Sequence, residues 1–245
     1  MLILAVETST PTGSVALVEF PLNGDSSPGS EKILGEHILN LQTTHSERLM
    51  PSIDRLLQES SLSIRDVQGI ALALGPGSFT GLRIGVSTVK GLAYALQVPV
   101  VGIPTLDALA HNVRFSSSLI CPVLDARKKE VYAALFRGDG EGRIVKVTED
   151  WVLAPEELCS RIKERTIFLG NGMELYAGKV REKLGPLALF APPELSLPRA
   201  LNVARLSLPK FTKGLTFELF SFTPIYVRRS EAEIHFEAKE GKRPL

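Results

Sequence analysis

GIALALGPGSFTGLRIGVSTVKGLAYAL, positions 69–96, is a continuous apolar segment that passes through a glycine turn straight into a helix-periodic pattern. That order predicts a buried strand delivering a helix, the basic unit of an α/β fold. Gly75, Gly77 and Gly81 permit a tight turn and close backbone approach, and Ser78 or Thr80 can cap the first helical amides. A turn of this kind can hold an anion on its amides. It is not a Walker A loop, because no Gly-Lys-Ser/Thr follows, and not a nucleophile elbow, because Ser78 is not centred in G-x-S-x-G. The competing reading is a glycine turn needed only for packing.

Along the helix, small residues recur at Gly81, Gly85, Thr88 and Ala95, and apolar ones at Leu82, Val86, Val89, Ala93 and Leu96. Arg83, Ser87, Lys90, Tyr94 and Gln97 form a polar stripe. Internal glycines each cost about 1 kcal/mol relative to alanine in a helix, so the pattern implies intimate packing against another element, a second chain among the candidates.

Working outward, periodicity predicts strands at 2–6, 14–18 and 32–38, a helix at 45–58, a strand at 69–74, a helix at 80–96, a strand at 98–102 and a helix at 105–112. The series restarts with strands at 120–124, 131–136 and 144–152, a helix at 155–164, a strand at 166–169, a helix at 173–184 and a strand at 187–190. A last helix follows, which Pro209 should end. The order βββαβαβα thus occurs twice, and each copy opens on a strand that ends in an acid, Glu7 and Asp125. This is the pattern of the duplicated ribonuclease H-like architecture of actin, Hsp70 and sugar kinases, in which nucleotide lies between the lobes. The expected division is a first lobe over 1–115, a second over 116–211, and a segment 212–245 packing back on the first lobe with a frayed tail beyond Tyr226. EFPLNGDSSPGSE at 19–31 reads as a connector.

With 44% hydrophobic and 22% charged residues in 245, the composition is that of a globular protein rather than a disordered one. Twenty-eight basic against 27 acidic residues give a net charge of +1, so any contact with RNA has to be local. Cys121 and Cys159 match neither a zinc site nor a disulfide framework, and a reducing cytoplasm fits them. MLILAVETS is apolar for only about six residues with no basic flank, which predicts a first strand and not a signal peptide. No segment is long enough to span a bilayer, and no membrane partner is expected.

Six motifs in order, ILAVETST at 3–10, HSERLMPSID at 45–54, GPGSFTGLRIG at 75–85, LDARKKEVYAALF at 124–136, GNG at 170–172 and PIYVRRSEAE at 224–233, resemble the TsaB (YeaZ) family. The resemblance implies an accessory subunit of the machinery that installs threonylcarbamoyl on adenosine 37 of ANN-decoding tRNAs, a degenerate relative of the catalytic subunit TsaD. TsaD carries two metal-ligating histidines after its corresponding strand, whereas VGIPTLDAL at 101–109 puts Thr105 and Leu109 there. His37 and His45 are separated across a strand-to-helix junction and His111 and His235 stand alone, so no metal is expected. Thr44 and Glu47 read as a capping box that accounts for Glu47 without chemistry.

On that resemblance, helices 45–58 and 80–96 pair with the matching helices of TsaD in a four-helix contact. The implied interface is His45, Arg48, Leu49, Met50, Ile53, Leu82, Arg83, Gly85, Val86, Val89 and Lys90, with Arg48, Arg83 and Lys90 as rim or cross-chain ion-pair donors. Simple core packing is the alternative reading of the first helix, which Pro51 should bend. Without TsaD the same face would form a homodimer. TsaE is the implied third partner, and tRNA is contacted only indirectly. No cofactor is expected on the chain alone, with ATP or ADP completed at the contact with TsaD. Candidate nucleotide- or anion-binding residues are Thr8, Ser9, Gly75, Gly77, Ser78, Gly170, Asn171 and Gly172, although Glu7-Thr8-Ser9-Thr10 replaces the actin-like D-x-G-x-T turn. Glu7, Asp125, Arg127 and Glu130 form a polar group read as cleft-lining or, for the last three, also as a partner contact or as a solvated hairpin in which Asp125 caps and Arg127 pairs with Glu130. The rival readings are a glycoprotease-like peptidase, an actin-like ATP-dependent phosphotransferase, and a self-associating remnant without a partner.

Overall fold

The computed structural model describes residues 1–21, 31–39 and 45–227. Most of the connector, Thr44 of the expected capping box, the end of PIYVRRSEAE and His235 lie outside the described residues.

In the first half, β1 (Leu2–Glu7), β2 (Gly13–Glu19), β3 (Lys32–Leu39), β4 (Gly69–Gly75) and β5 (Val100–Pro104) form one sheet in the order β3-β2-β1-β4-β5, with helices α1 (His45–Glu59), α2 (Phe79–Leu96) and α3 (Thr105–Ala110) in between. The second half contains β6 (Leu119–Asp125), β7 (Val131–Ala133), β8 (Phe136–Gly138), β9 (Ile144–Lys146), β10 (Trp151–Leu153), α4 (Pro155–Arg161), β11 (Thr166–Leu169), α5 (Gly172–Leu184), β12 (Ala188–Phe190) and α6 (Ala200–Thr212). Its main sheet runs β10-β7-β6-β11-β12, the first order repeated with antiparallel and parallel pairings in the same places. The fold is a duplicated ribonuclease H-like α/β architecture.

The second copy is less regular than the sequence pattern predicts. The strand at 131–136 is broken into β7 and β8 because Pro122 in β6 has no N–H for the ladder. Leu135 N turns instead to Thr148 Oγ1, 2.9 Å away. The strand at 144–152 is likewise split into β9, which pairs with β8, and β10, which pairs with β7.

Every residue of β1 is buried, and the period-2 alternation sorts them. Leu2, Leu4 and Val6 meet α1 and α2 through Ile53, Leu56, Val86 and Val89, while Ile3 and Ala5 face α6 through Val203 and Ala204. Small residues at Ala5, Ala16, Ala71 and Ala73 let α6 lie close on that side. Residues 200–212, assigned from sequence to the end of the second lobe, therefore belong to the layer covering the first sheet. Chemistry at the start of α6 explains the docking. Ala200 N donates to Ser14 Oγ (2.8 Å) and Leu201 N to Glu36 Oε1 (3.0 Å), so side chains of β2 and β3 satisfy its orphan amides. Pro209 does not end α6, which runs on to Thr212, because a proline removes only its own donor and the later amides keep theirs.

α3 joins the halves. Leu106, Leu109 and Ala110 share a core with Ile120, Leu124, Phe136 and Leu169 of the second sheet, and Lys146 Nζ holds Asp107 (2.8 Å) and Asp150 (2.7 Å). Beyond α6 the chain returns over the first lobe. Phe217 N donates to Val100 O (2.9 Å), Ile225 N donates to Leu74 O (2.8 Å), and Phe222 is buried in the core beneath α2. Cys121 and Cys159, distant in sequence, meet as free thiols in the second core, where burial raises the pKa of both. No helix among the described residues is long and apolar enough to cross a membrane.

Candidate functional site

The turn after β1 is the anchor of the first lobe. Glu7, Thr8, Ser9 and Thr10 are all buried. Glu7 Oε1 accepts a hydrogen bond from Ser9 N (2.5 Å), and Oε2 is buried with no partner. Burial pushes the Glu7 carboxyl from the ordinary 4.5 up to about 7, against the opposing pull of the hydrogen bond from Ser9 N.

The close neighbour implied by the glycines is this turn and not a second chain. A Cβ on Gly77 would overlap Ser9 O, one on Gly81 would overlap Thr8 O, and one on Gly85 would overlap Thr8 Oγ1. Ser78 N donates to Ser9 O (2.6 Å), and Ser78 Oγ, rather than Thr80, accepts from Gly81 N (3.2 Å). Gly75 has φ +114°, and a Cβ there would press on Ile225 O. At the candidate anion turn the glycines thus make room for the chain's own backbone, and Ser78 N is taken by Ser9 O.

His45, half-buried, makes an internal tie: its Nε2–H donates to Thr10 O (2.7 Å), and its ring lies against Gly13 and Gly81. Below it a cavity of about 30 Å³ is lined by Glu7, Thr8, Gly13, His37, His45 and Arg48.

Much of the implied interface is buried in the chain's own core. Leu49, Ile53, Leu82, Val86 and Val89 are core residues with 0–7% exposure, and Gly85 is buried against Thr8. Arg83 and Lys90 are engaged by the returning C-terminal segment. Arg83 Nε donates to Tyr226 OH (3.2 Å) and stacks on Phe79, while Lys90 Nζ donates to Phe220 O (3.0 Å) over the Phe222 ring. Among the residues that face outward are Met50 on α1, half-buried Arg48 beside it, and on α2 Thr80, half-buried Ile84, Ser87, Gly91 and Ala95, with Arg83 and Tyr94 also exposed. Gly91 was missed in the small-residue stripe. A Cβ on it would meet nothing.

In the second lobe the GNG turn serves β6. A Cβ on Gly170 would overlap Val123 O, one on Gly172 would press on the Val123 side chain, and Asn171 Oδ1 accepts from Asp125 N (3.1 Å). Asp125 then caps the hairpin, accepting from Arg127 N (2.9 Å) and pairing with the Arg127 guanidinium at 3.3 Å. Arg127 therefore pairs with Asp125 and not, as expected, with Glu130, whose backbone N donates to Arg127 O (2.9 Å). Each of the two acids is hydrogen-bonded within its own turn, Glu7 by Ser9 N and Asp125 by Arg127 N.

Thr105 and Leu109, where the resemblance places imidazole ligands, are both fully buried, Leu109 in the core between the sheets. No group of three His, Cys, Asp or Glu side chains among the described residues could hold a metal.

Comparison with known proteins gives the lineage. The family model for TsaD, tRNA N6-adenosine threonylcarbamoyltransferase, matches residues 32–236. The tRNA threonylcarbamoyladenosine biosynthesis protein TsaB of Bacillus subtilis is 31% identical over 236 residues, covering 95% of this chain and 96% of that protein. The TsaB protein of Escherichia coli is 27% identical over 245 residues, covering 98% and 100%. Among solved structures, YeaZ from Pseudomonas aeruginosa superposes with a TM-score of 0.73 at 28% identity, covering 92% of this chain and 99% of that one. Matched in sequence and in fold along almost all of its length, the chain belongs to the TsaB (YeaZ) family of tRNA threonylcarbamoyladenosine biosynthesis proteins, within the wider family described by TsaD.

Proposed function

We infer that this chain is an accessory subunit, without chemistry of its own, that pairs with TsaD through the outer faces of α1 and α2 and so activates threonylcarbamoyl transfer to adenosine 37 of ANN-decoding tRNAs. Gly91 carries the reading. Gly81 and Gly85 are compensated for their poor helix propensity by close packing on the Thr8–Ser9 turn, but Gly91 lies on the exposed face with open space where a side chain would be. A bare helix face at that cost of about 1 kcal/mol suits the approach of another helix. Met50, 45% exposed on the neighbouring helix, supplies an adaptable apolar contact beside it. The residues proposed to meet TsaD are accordingly Met50, Ile84, Ser87, Gly91 and Ala95, with Arg48 at the rim.

Activation on this reading is a population shift: the face binds the transfer-competent arrangement of TsaD better than the alternatives. Without TsaD the same face pairs two copies of this chain. Buried Thr105 and Leu109 support a subunit that leaves metal chemistry to its partner. The glycine turns, filled by their own chain, support a nucleotide completed only across the contact with TsaD, with TsaE as the third component in the cytoplasm. Gly91→Trp is expected to abolish copurification with TsaD and to stop tRNA threonylcarbamoylation, while its thermal melt stays near that of the unsubstituted protein. Intact assembly and normal modification with this variant would overturn the reading.

A further inference from the structure

Beyond α6 the returning chain lays a row of aromatic rings beside α2. Phe222 anchors it in the core, and the rings to either side stand out. Phe220 is 69% exposed and meets Tyr94 of α2, itself 60% exposed, at 5.9 Å between ring centroids, while Tyr226 meets Phe79 at 5.2 Å. Eight of the 13 large apolar side chains exposed among the described residues lie on α1, α2 or residues 213–227. A single exposed apolar side chain is ordinary, but a collection of them on adjoining elements marks a contact surface. The rings border the face that holds Gly91, since Tyr94 lies one helical turn beyond Gly91 and two beyond Ser87. That face permits close approach but has few anchors of its own, because Ser87, Gly91 and Ala95 bury little area. Binding energy at protein contacts concentrates in aromatic anchors, and rings already fixed lose little freedom on association.

We propose that Tyr94 with Phe220, and Phe79 with Tyr226 at the other end of α2, are the aromatic anchors of the contact with TsaD and seat an apolar helical surface of that protein. The proposal rests on the accessory-subunit reading above and adds to its interface the segment 213–227, which the sequence resemblance leaves out. At 1.5 Å per helical residue the two ring pairs stand about 22 Å apart along α2, which spans about four turns of a partner helix. A nucleic acid would ask for open cations among the rings, whereas Arg83 and Lys90 already bond Tyr226 OH and Phe220 O.

The double variant Tyr94→Ser, Phe220→Ser separates binding from folding, because Lys90 holds the Phe220 carbonyl and not its ring, and Phe222 stays buried. Titration against TsaD, sedimentation of the chain alone, anisotropy with labelled ANN-decoding tRNA and thermal melts are to be measured on it and on the ring-retaining pair Tyr94→Phe, Phe220→Tyr. The expected result is TsaD affinity about thirtyfold lower in the serine variant, within about twofold of the unsubstituted protein in the ring-retaining one, and melting temperatures within about 2 °C of each other. If the double serine variant melts early, Phe220→Ser alone is expected to lower the affinity about fivefold with an unchanged melt. Unchanged TsaD affinity in the serine variants would overturn the proposal, and loss of pairing in Gly91→Trp would then leave the accessory-subunit reading standing. A loss confined to self-association or to tRNA binding would also overturn it, giving the rings to a second copy of this chain or to RNA. If the unsubstituted protein does not pair with TsaD, the reading and the proposal fall together.

Discussion

Alanine at position 81 is expected to destabilise the protein by about 3 kcal/mol, although alanine is the best helix former and glycine among the worst. The reason is the Thr8 carbonyl oxygen, which occupies the space a Cβ would need. Backbone cannot rotate away as a flexible side chain can, so α2 must lift from the β1 turn or the turn must shift. Either movement disturbs Ser78 N···Ser9 O and the His45–Thr10 tie together. For a chain of this size the melting temperature should fall by about 6–12 °C. Gly91→Ala provides the control within the same helix. No atom meets its Cβ, so it should gain about 1 kcal/mol in propensity. Urea denaturation of the two variants checks the opposite signs; equal effects would show that α2 is not pinned to the turn. Bulk at Gly85 would likewise strike Thr8 inside the lobe, so a Trp there tests folding rather than assembly.

Stability should also fall as pH rises from about 4.5 to about 7, by about 3 kcal/mol, through Glu7 alone. Below that window both folded and unfolded chains hold the proton. Within it the folded chain keeps the Glu7 proton while the unfolded chain releases it, so each rise in pH favours unfolding. Above about 7 both forms are ionised and the loss is complete. Glu7→Gln fixes a neutral amide at the site and removes this term, so the difference in unfolding free energy between the two proteins should grow from pH 4.5 to 7 and then level off. A difference that stays constant with pH would mean that Glu7 reaches water or a counter-charge in the folded protein.

Each strand bearing a clear alternation or apolar run, β1, β2, β4, β6 and β11, was legible because burial on both faces leaves a continuous hydrophobic signature. α2 was legible for a related reason, since its core stripe repeats at helical spacing over 18 residues. The breaks in the second sheet were not, because they arise where Pro122 faces the partner strand, a coincidence of register that no local window contains. Arg127 was assigned to the wrong acid for a similar reason. Three left-handed residues in a row send its guanidinium back to Asp125, and nothing in the letters RKK announces that conformation.

From the sequence alone came the α/β class, the duplication and the lineage in its ordered motifs, because these depend on periodicity and residue identity. Only the tertiary structure decided what the glycines of α2 are for. Gly81, Gly85 and Gly91 look alike in the chain, yet two of them face the buried Thr8–Ser9 turn and one faces solvent. A glycine records that a side chain is missing and not what takes its place, and that is settled by whichever backbone the fold brings alongside.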